Sequence, residues 1–281
     1  MKITVWGCRG TLPTPGSHTL KYGGNTTCLE IRNAEGFLTI VDAGSGLRYL
    51  GKKLIQENGL DEMCLMLTHS HWDHLMGFPF FVPAYFSRFR INVCGVQSAR
   101  NYMAQSLARQ LEAPYFPVNF EQLKANFNFS CKGPGCDSCV HLKVESISLS
   151  HPNGGFGFRF SENGRRFVFL TDNELGFQHP DGLKPQDYVE FSRDADLLFH
   201  DAQYTDEEYV KTRTWGHSTY NEVLDLAINA NVKRLGLFHH DPDRTDAELD
   251  RIVSELQNKA AARSANLEIF AVSEGMQIKL E

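Results

Sequence analysis

The stretch Leu65–Phe78, LMLTHSHWDHLMGF, decides how this chain is read. An apolar run ends on Thr68, and His69, His71, Asp73 and His74 follow at once. Hydrophilic groups packed this densely at a strand end build no core. They either decorate a loop or hold a metal, since neutral imidazole and carboxylate are good zinc ligands.

The same habit recurs along the chain. ISLS ends at His151, FVFLT at Asp172, LLF at His200 and Asp201, and LGLF at His239 and His240. Ligand sites on α/β frames gather where rigid strands deliver side chains to a crevice. A catalytic zinc takes about three protein donors and keeps a position for water. The residues suffice for two ions: His69, His71 and His151 around one, Asp73, His74 and His239 around the other, with Asp172 bridging. His239 is preferred to His240 because it directly ends its strand; His240 would then line the pocket or bind phosphate.

The chain has 281 residues, 42% hydrophobic and 22% charged, as in ordinary globular proteins. No repeat, low-complexity tract or polar linker divides it, so a single domain, 1–281, is expected, with 79–140 as a lid or insertion. No apolar run reaches membrane-spanning length. The opening MKITVWGCRG reads as a strand and a glycine turn, not a signal peptide, so a cytoplasmic protein with no membrane partner is expected. A net charge of −6 argues against nucleic acid as a partner.

KITVWG, TTCLEI, FLTIVDAG and MCLMLT read as strands in the first half. VESISLSH, FGFRFS, RRFVFLTD, ADLLFHDA, VKRLGLFHH, NLEIFAV and MQIKLE do so in the second. Helices are expected over 46–58 and from Gln97 to about Leu111. Two more follow the capping-box patterns Thr219–Glu222 and Thr245–Glu248. Strand groups interleaved with helices point to an α/β fold, two sheets packed face to face with helices outside. Cys8, Cys28, Cys64 and Cys94 read as buried free thiols. Cys131, Cys136, Cys139 and His141 form a Cys-x4-Cys-x2-Cys-x-His array. It suits one additional structural zinc, with a free or redox-active thiol loop as the alternative.

THSHWDH resembles the HxHxDH signature of the metallo-β-lactamase fold superfamily, and His151, Asp172 and His239 stand where its later ligands are expected. VDAGSG (41–46) resembles the early Asp-containing motif, which makes Asp42 a residue that supports the ligands. The resemblance covers nearly the whole chain. It implies an αββα four-layer sandwich of two mixed sheets with a dinuclear site, holding two Zn or, in their place, Mn or Fe. HDAQYTDEEY (200–209) is similar to the HEAT-type motif of the phosphodiesterase branch, with Asp201 in place of Glu. GHSTYNEVLDLA (216–227) is similar to the GHST motif of the tRNase Z group. In that branch His217 would protonate the leaving oxygen and Asp201 would orient it; with Asp73 they form the expected catalytic set. The relatives' habit implies a homodimer.

The reaction implied is phosphodiester hydrolysis by a water that the metals activate. Only 20 residues separate His151 from Asp172, too few for the long basic arm of a tRNase Z. A small phosphodiester, such as a cyclic nucleotide or cyclic sugar phosphate, is therefore the expected substrate. The alternatives are a thioester, lactone or lactam hydrolase, a tRNA 3′-end nuclease, and a non-catalytic nucleotide-sensing module. Phe80, Phe81, Tyr85, Phe86, Phe89, Tyr115 and Phe116 would stack on a base or pack a core. Arg88, Arg90 and Arg213 are candidate phosphate contacts. His18, His179 and Trp72 read as structural or surface residues.

Overall fold

The computed structural model describes residues 1–94, 100–129 and 142–281. The chain forms two compact units. The first comprises 1–7, 25–143 and 274–279; the second comprises 8–24, 144–273 and 280–281.

The first unit is built on β1 (Lys2–Gly7), β2 (Cys28–Arg32), β3 (Leu38–Val41), β4 (Glu62–Met66), β5 (Arg90–Cys94), β6 (Asn126–Asn128) and the last strand, β13 (Gln277–Lys279). They lie in the order β13-β1-β2-β3-β4-β5-β6. Pairing is antiparallel from β13 to β3 and parallel from β3 to β6. β3 (LTIV) is buried throughout and β4 (EMCLM) in all but its first residue. Such unbroken apolar runs are what parallel strands covered on both faces require. β5 and β6 fall inside 79–140, so those parts of the segment belong to the sheet framework.

Helix α1 (Leu47–Leu54) buries Leu47, Leu50, Gly51 and Leu54, the i, i+3, i+4, i+7 stripe of an amphipathic helix. It stops at Leu54, short of the end expected just before Gly59. At Gly51 a β-carbon would stand 2.9 Å from Phe81 Cδ2 and 3.1 Å from Pro83 Cδ, so glycine lets the turns Phe78–Phe80 and Val82–Tyr85 approach the helix. Helix α2 is described over Arg100–Arg109.

The second unit carries β7 (Lys143–Ser148), β8 (Phe156–Glu162), β9 (Arg165–Leu170), β10 (Leu197–Asp201), β11 (Arg234–Phe238) and β12 (Glu268–Ala271), in the order β12-β11-β10-β9-β8-β7. β9 to β12 pair in parallel and β8–β9 is an antiparallel hairpin. Strand period sends Phe167 and Phe169 to one face and Val168 and Leu170 to the other, all fully buried. On the first face Phe167 meets Phe199, and Phe169 meets Phe238, edge to face with ring centroids 5.1 Å apart. On the second, Val168 and Leu170 share a core with Tyr188 of α3 (Pro185–Phe191) and Val223 of α5 (Tyr220–Asn229).

The capping boxes at Thr219/Glu222 and Thr245/Glu248 open α5 and α6 (Asp246–Ala262) as the sequence indicates. A third, Thr205/Glu208, opens α4 (Asp206–Thr212). Helices α3 and α4 have seven residues each, two turns, too short to display a helical period. Among the described residues no helix is long and apolar enough to cross a membrane.

One buried charge braces the first unit. Glu30 on β2 is 2% exposed and accepts from Trp6 Nε1 (2.9 Å), Arg32 Nε (2.6 Å) and Lys53 Nζ of α1 (3.2 Å). Burial resists its ionisation, but the Arg32, Trp6 and Lys53 contacts outweigh it and hold the carboxyl below the usual 4.5. Glu30→Gln should destabilise the protein by about 1–3 kcal/mol at neutral pH in denaturant titrations. The folded pKa lies below the unfolded one. The carboxylate's contribution is therefore complete above the ordinary glutamate value and vanishes as pH falls through the depressed one. The gap between wild type and variant should close over that window.

Candidate metal centre

In the first unit, β3 and β4 run side by side and their ends carry the chemistry. Asp42 follows β3 in the left-handed region, φ +63°, fully buried. It accepts from the Thr68 amide (2.8 Å), the Thr68 hydroxyl (2.8 Å) and His74 Nδ1–H (2.8 Å). Burial raises its pKa, while His74 and Thr68 pull the other way. Because a carboxylate, the usual second partner of a metal-bound imidazole, holds Nδ1, Nε2 is the His74 nitrogen that could bind a metal.

The single turn Trp72–His74 buries Asp73 and His74. His74 Nε2 is 3.4 Å from Asp73 Oδ2, and the His69 ring stands 4.6 Å from that of His71 and 4.1 Å from that of His74. The loop is seated by backbone: His74 O accepts from Ala43 N, and Gly77 N donates to Ala43 O. A β-carbon on Gly77 would fall 1.9 Å from Gly44 O, so glycine permits the approach.

In the second unit, Asp172 and His239 follow β9 and β11, again in left-handed backbone, φ +57° and +56°. His151 Nδ1–H donates to Gly216 O (2.9 Å), and His239 Nδ1–H to Gln203 Oε1 (3.0 Å). Both rings thereby turn Nε2 toward Asp172: His239 is 3.3 Å from Oδ1 and His151 is 3.7 Å from Oδ2. One carboxylate placed between two imidazoles, an oxygen facing each, is the geometry of a bridging ligand. Within each unit, the donor atoms of His69 and His71, of Asp73 and His74, of His151 and Asp172, and of Asp172 and His239 lie within 4.8 Å. The imidazoles, of which His74, His151 and His239 have Nδ1 already committed, and the carboxylates fit a transition metal such as zinc.

His217 stacks on His239, ring centroids 4.9 Å apart, and lies 5.4 Å from the ring of His151. Its Nδ1 stands 3.4 Å from Asp201 Oδ2, an ion-pair distance rather than a tight hydrogen bond. Asp201 is fully buried and accepts from the amides of Asn173 (2.9 Å) and Ser218 (3.1 Å). Burial opposes its ionisation, yet His200 and His217 together hold it down to about 2. It is ionised at neutral pH.

Several contributors carry no spacing signal in the sequence. Glu174 is buried and accepts from Thr214 N (2.7 Å), Gly216 N (2.8 Å), Tyr209 OH (2.6 Å) and His179 Nε2–H (2.8 Å). It thus fixes the loop that supplies both the carbonyl on His151 and the His217 side chain. Gln203 holds His239, a role that only the fold reveals. His179, read as structural or surface, is a buried partner of Glu174.

Other expectations are corrected. His240 does not line a pocket or meet phosphate: it is fully buried, its Nε2–H donates to Val272 O (2.8 Å), and burial pushes its pKa down to about 3. Arg88 and Arg90 pair with Asp61 and Glu62, and Arg213 lies over the ring of Phe177. The array of Cys131, Cys136, Cys139 and His141 lies outside the described residues.

The sequence model of the β-lactamase superfamily domain matches residues 40–240, most of the chain. The chain belongs to this superfamily. Ribonuclease Z of Haloarcula marismortui is 23% identical, the alignment covering 100% of this chain and 97% of that protein. Among solved structures, the metallo-β-lactamase fold protein YhfI from Bacillus subtilis superposes with a TM-score of 0.67 at 17% identity, covering 99% of this chain and 98% of that one. The short form of human tRNase Z gives 0.63 at 21% identity, covering both chains completely. The α/β fold of two mixed sheets with helices is that of the metallo-β-lactamase group, a hydrolase fold with a metal-binding His/Asp cluster.

The expectation that nucleic acid is an unlikely partner is overturned by the Ribonuclease Z of Haloarcula marismortui and human tRNase Z, both matched along the whole chain. Net charge summed over 281 residues averages away the local field on which such binding depends.

Gly216 yields a direct test of the second unit's geometry. Its φ is +96°, and a β-carbon there would sit 2.0 Å from His151 Nδ1. Gly216→Ala should displace that ring and weaken metal retention about 10–100-fold, the usual loss when a ligand's orienting partner is removed. Competition with a chelator, followed by elemental analysis, reads this out.

Proposed function

We propose that the donors of the two units act together. His69, His71 and His151 would hold one metal ion and Asp73, His74 and His239 a second, with Asp172 between them. The chain would then hydrolyse phosphodiester bonds, RNA among its substrates. The observation that carries this reading is the His217–Asp201 pair beside Asp172 and His239. A proton donor next to a ligand set is what an alkoxide leaving group needs, whereas a thiolate leaves unaided and a thioester hydrolase has no evident use for it. The seven ligand positions all fall within the matched superfamily segment, which supports assigning them as one set.

Bound ions supply Lewis acidity and an activated water at neutral pH; zinc, manganese and iron all suit His and Asp donors. The chain's own part is positional and protonic. Thr68, Asp42, Gly216 and Gln203 fix tautomer and ring direction. Asp201, ionised and buried, favours the protonated form of His217. With Nδ1 toward Asp201, His217 offers its Nε2 proton to the leaving oxygen, help worth about 10²–10⁴-fold in rate.

The Ribonuclease Z relatives favour RNA as substrate. A small phosphodiester, such as a cyclic nucleotide, is the second reading. It is favoured by the tight hairpin in which Asn163 and Gly164 alone join β8 to β9 between His151 and Asp172. Metal-loaded protein should be assayed on a precursor tRNA, cyclic mononucleotides and bis(p-nitrophenyl) phosphate, with nitrocefin and a thioester beside them. Phosphodiester turnover is expected; turnover of only the last two would overturn the proposal. His217→Ala should lower kcat by about 10²–10⁴-fold while metal content holds. Loss of metal instead would make His217 a ligand.

A further inference from the structure

Beside the histidine motif, within the first unit, lies a cavity of about 660 Å³ lined by Ser70, Trp72, Phe80, Arg109, Tyr115 and Phe116 among others. Its volume falls in the roughly 300–1,000 Å³ range of small-ligand sites. Four aromatic side chains share its lining with Leu75, Met76 and Pro79, and three of the four are open to solvent: Trp72 is 73% exposed, Phe80 55% and Tyr115 84%. Large apolar side chains left in water around one hollow mark a binding surface more often than chance exposure. Phe80 is braced edge to face by Phe116, centroids 5.6 Å apart at 87°, so this wall is built rather than loose.

The placement of Trp72 is the telling feature. It stands between His71 and Asp73 in sequence, on the turn that buries Asp73 and His74, and that same turn directs Trp72 outward. A core role is excluded by its exposure. A merely solvated loop would not need the largest aromatic side chain at this position.

We infer that this cavity is a nucleobase subsite, in which Trp72, Phe80 and Tyr115 take an unpaired base of the substrate by stacking, with Arg109 meeting the adjoining phosphate. The inference rests on the phosphodiesterase reading and adds what the substrate must carry. Flat π-faces match a base, which stacks on aromatic side chains with little regard to its identity. A guanidinium at the rim complements the phosphate that any nucleotide brings with it. An aliphatic chain has no call on Arg109 or on exposed ring faces. Contiguity with the histidine motif sets the base within one substrate's length of the donors that His69, His71, Asp73 and His74 present.

The test is equilibrium binding of adenosine 5′-monophosphate and of ribose 5-phosphate to the metal-loaded protein, compared in wild type, Trp72→Ala, Trp72→Phe and Tyr115→Ala. Stacking on an aromatic platform corresponds to about 5- to 150-fold in affinity per base. Wild type should prefer the nucleotide by a factor in that range. Trp72→Ala and Tyr115→Ala should each shrink the preference, and Trp72→Phe should restore most of it. If Trp72→Ala does not fold, Tyr115→Ala, at a solvent-exposed position, decides alone. Equal affinities in wild type, failure to bind the nucleotide at millimolar concentration, or a preference that survives Tyr115→Ala would overturn the subsite. Hydrolysis is scored separately, on a dinucleotide and its abasic counterpart. Discrimination of base without cleavage of either keeps the subsite and removes the phosphodiesterase reading. Cleavage of both at equal kcat/KM does the reverse.

Discussion

An imidazole can present a lone pair in a fixed direction only if its other nitrogen is held, and the candidate site depends on that constraint. His74 is held by Asp42, His151 by the Gly216 carbonyl and His239 by Gln203. Each partner is an oxygen that can only accept. The Nδ1 atoms therefore carry the protons and the Nε2 atoms are left as donors to a metal. The partners are themselves fixed: Asp42 by Thr68, and the Gly216 loop by Glu174. The site is in this sense two shells deep in each unit, and removing an outer member would disturb donors it never touches.

Backbone geometry enters at the same points. Asp42, Asp172 and His239 each close a strand in left-handed conformation, which for a non-glycine residue costs on the order of 1–2 kcal/mol. These three, among ten such residues described, stand at strand ends of the candidate site. A left-handed residue breaks the strand's alternation and turns its side chain where an extended residue could not. The strain is tolerated because the strands behind it, β3, β9 and β11, are largely buried, with the phenylalanines of β9, β10 and β11 packed together.

Much of this was legible in the sequence, for identifiable reasons. Apolar runs bounded by glycine or asparagine marked most strands, and the boxes at Thr219 and Thr245 marked two helix starts. The candidate ligands were visible because metal chemistry demands rare residue types, and they cluster at strand ends. What stayed hidden depends on contacts distant in sequence. Glu174 and Gln203 are ordinary polar residues until the fold sets Gly216 and His239 against them. His240 competed with His239 for one ligand place, the strand end favoured His239, and the side-chain direction, toward Val272 O rather than Asp172, sets His240 apart. α3 and α4, two turns each, were too short to show a period. Whole-chain charge misled about nucleic acid because it is a sum, while recognition reads a local field.

The central claim is that Asp172 stands between two metal ions. Anomalous diffraction from metal-loaded crystals, collected at the absorption edge of the bound element, tests it most directly. The account predicts two peaks flanking Asp172, one against Nε2 of His151 and the other against Nε2 of His239, whatever further peaks appear elsewhere. A single peak there, or none within bonding distance of the Asp172 carboxylate, would contradict it.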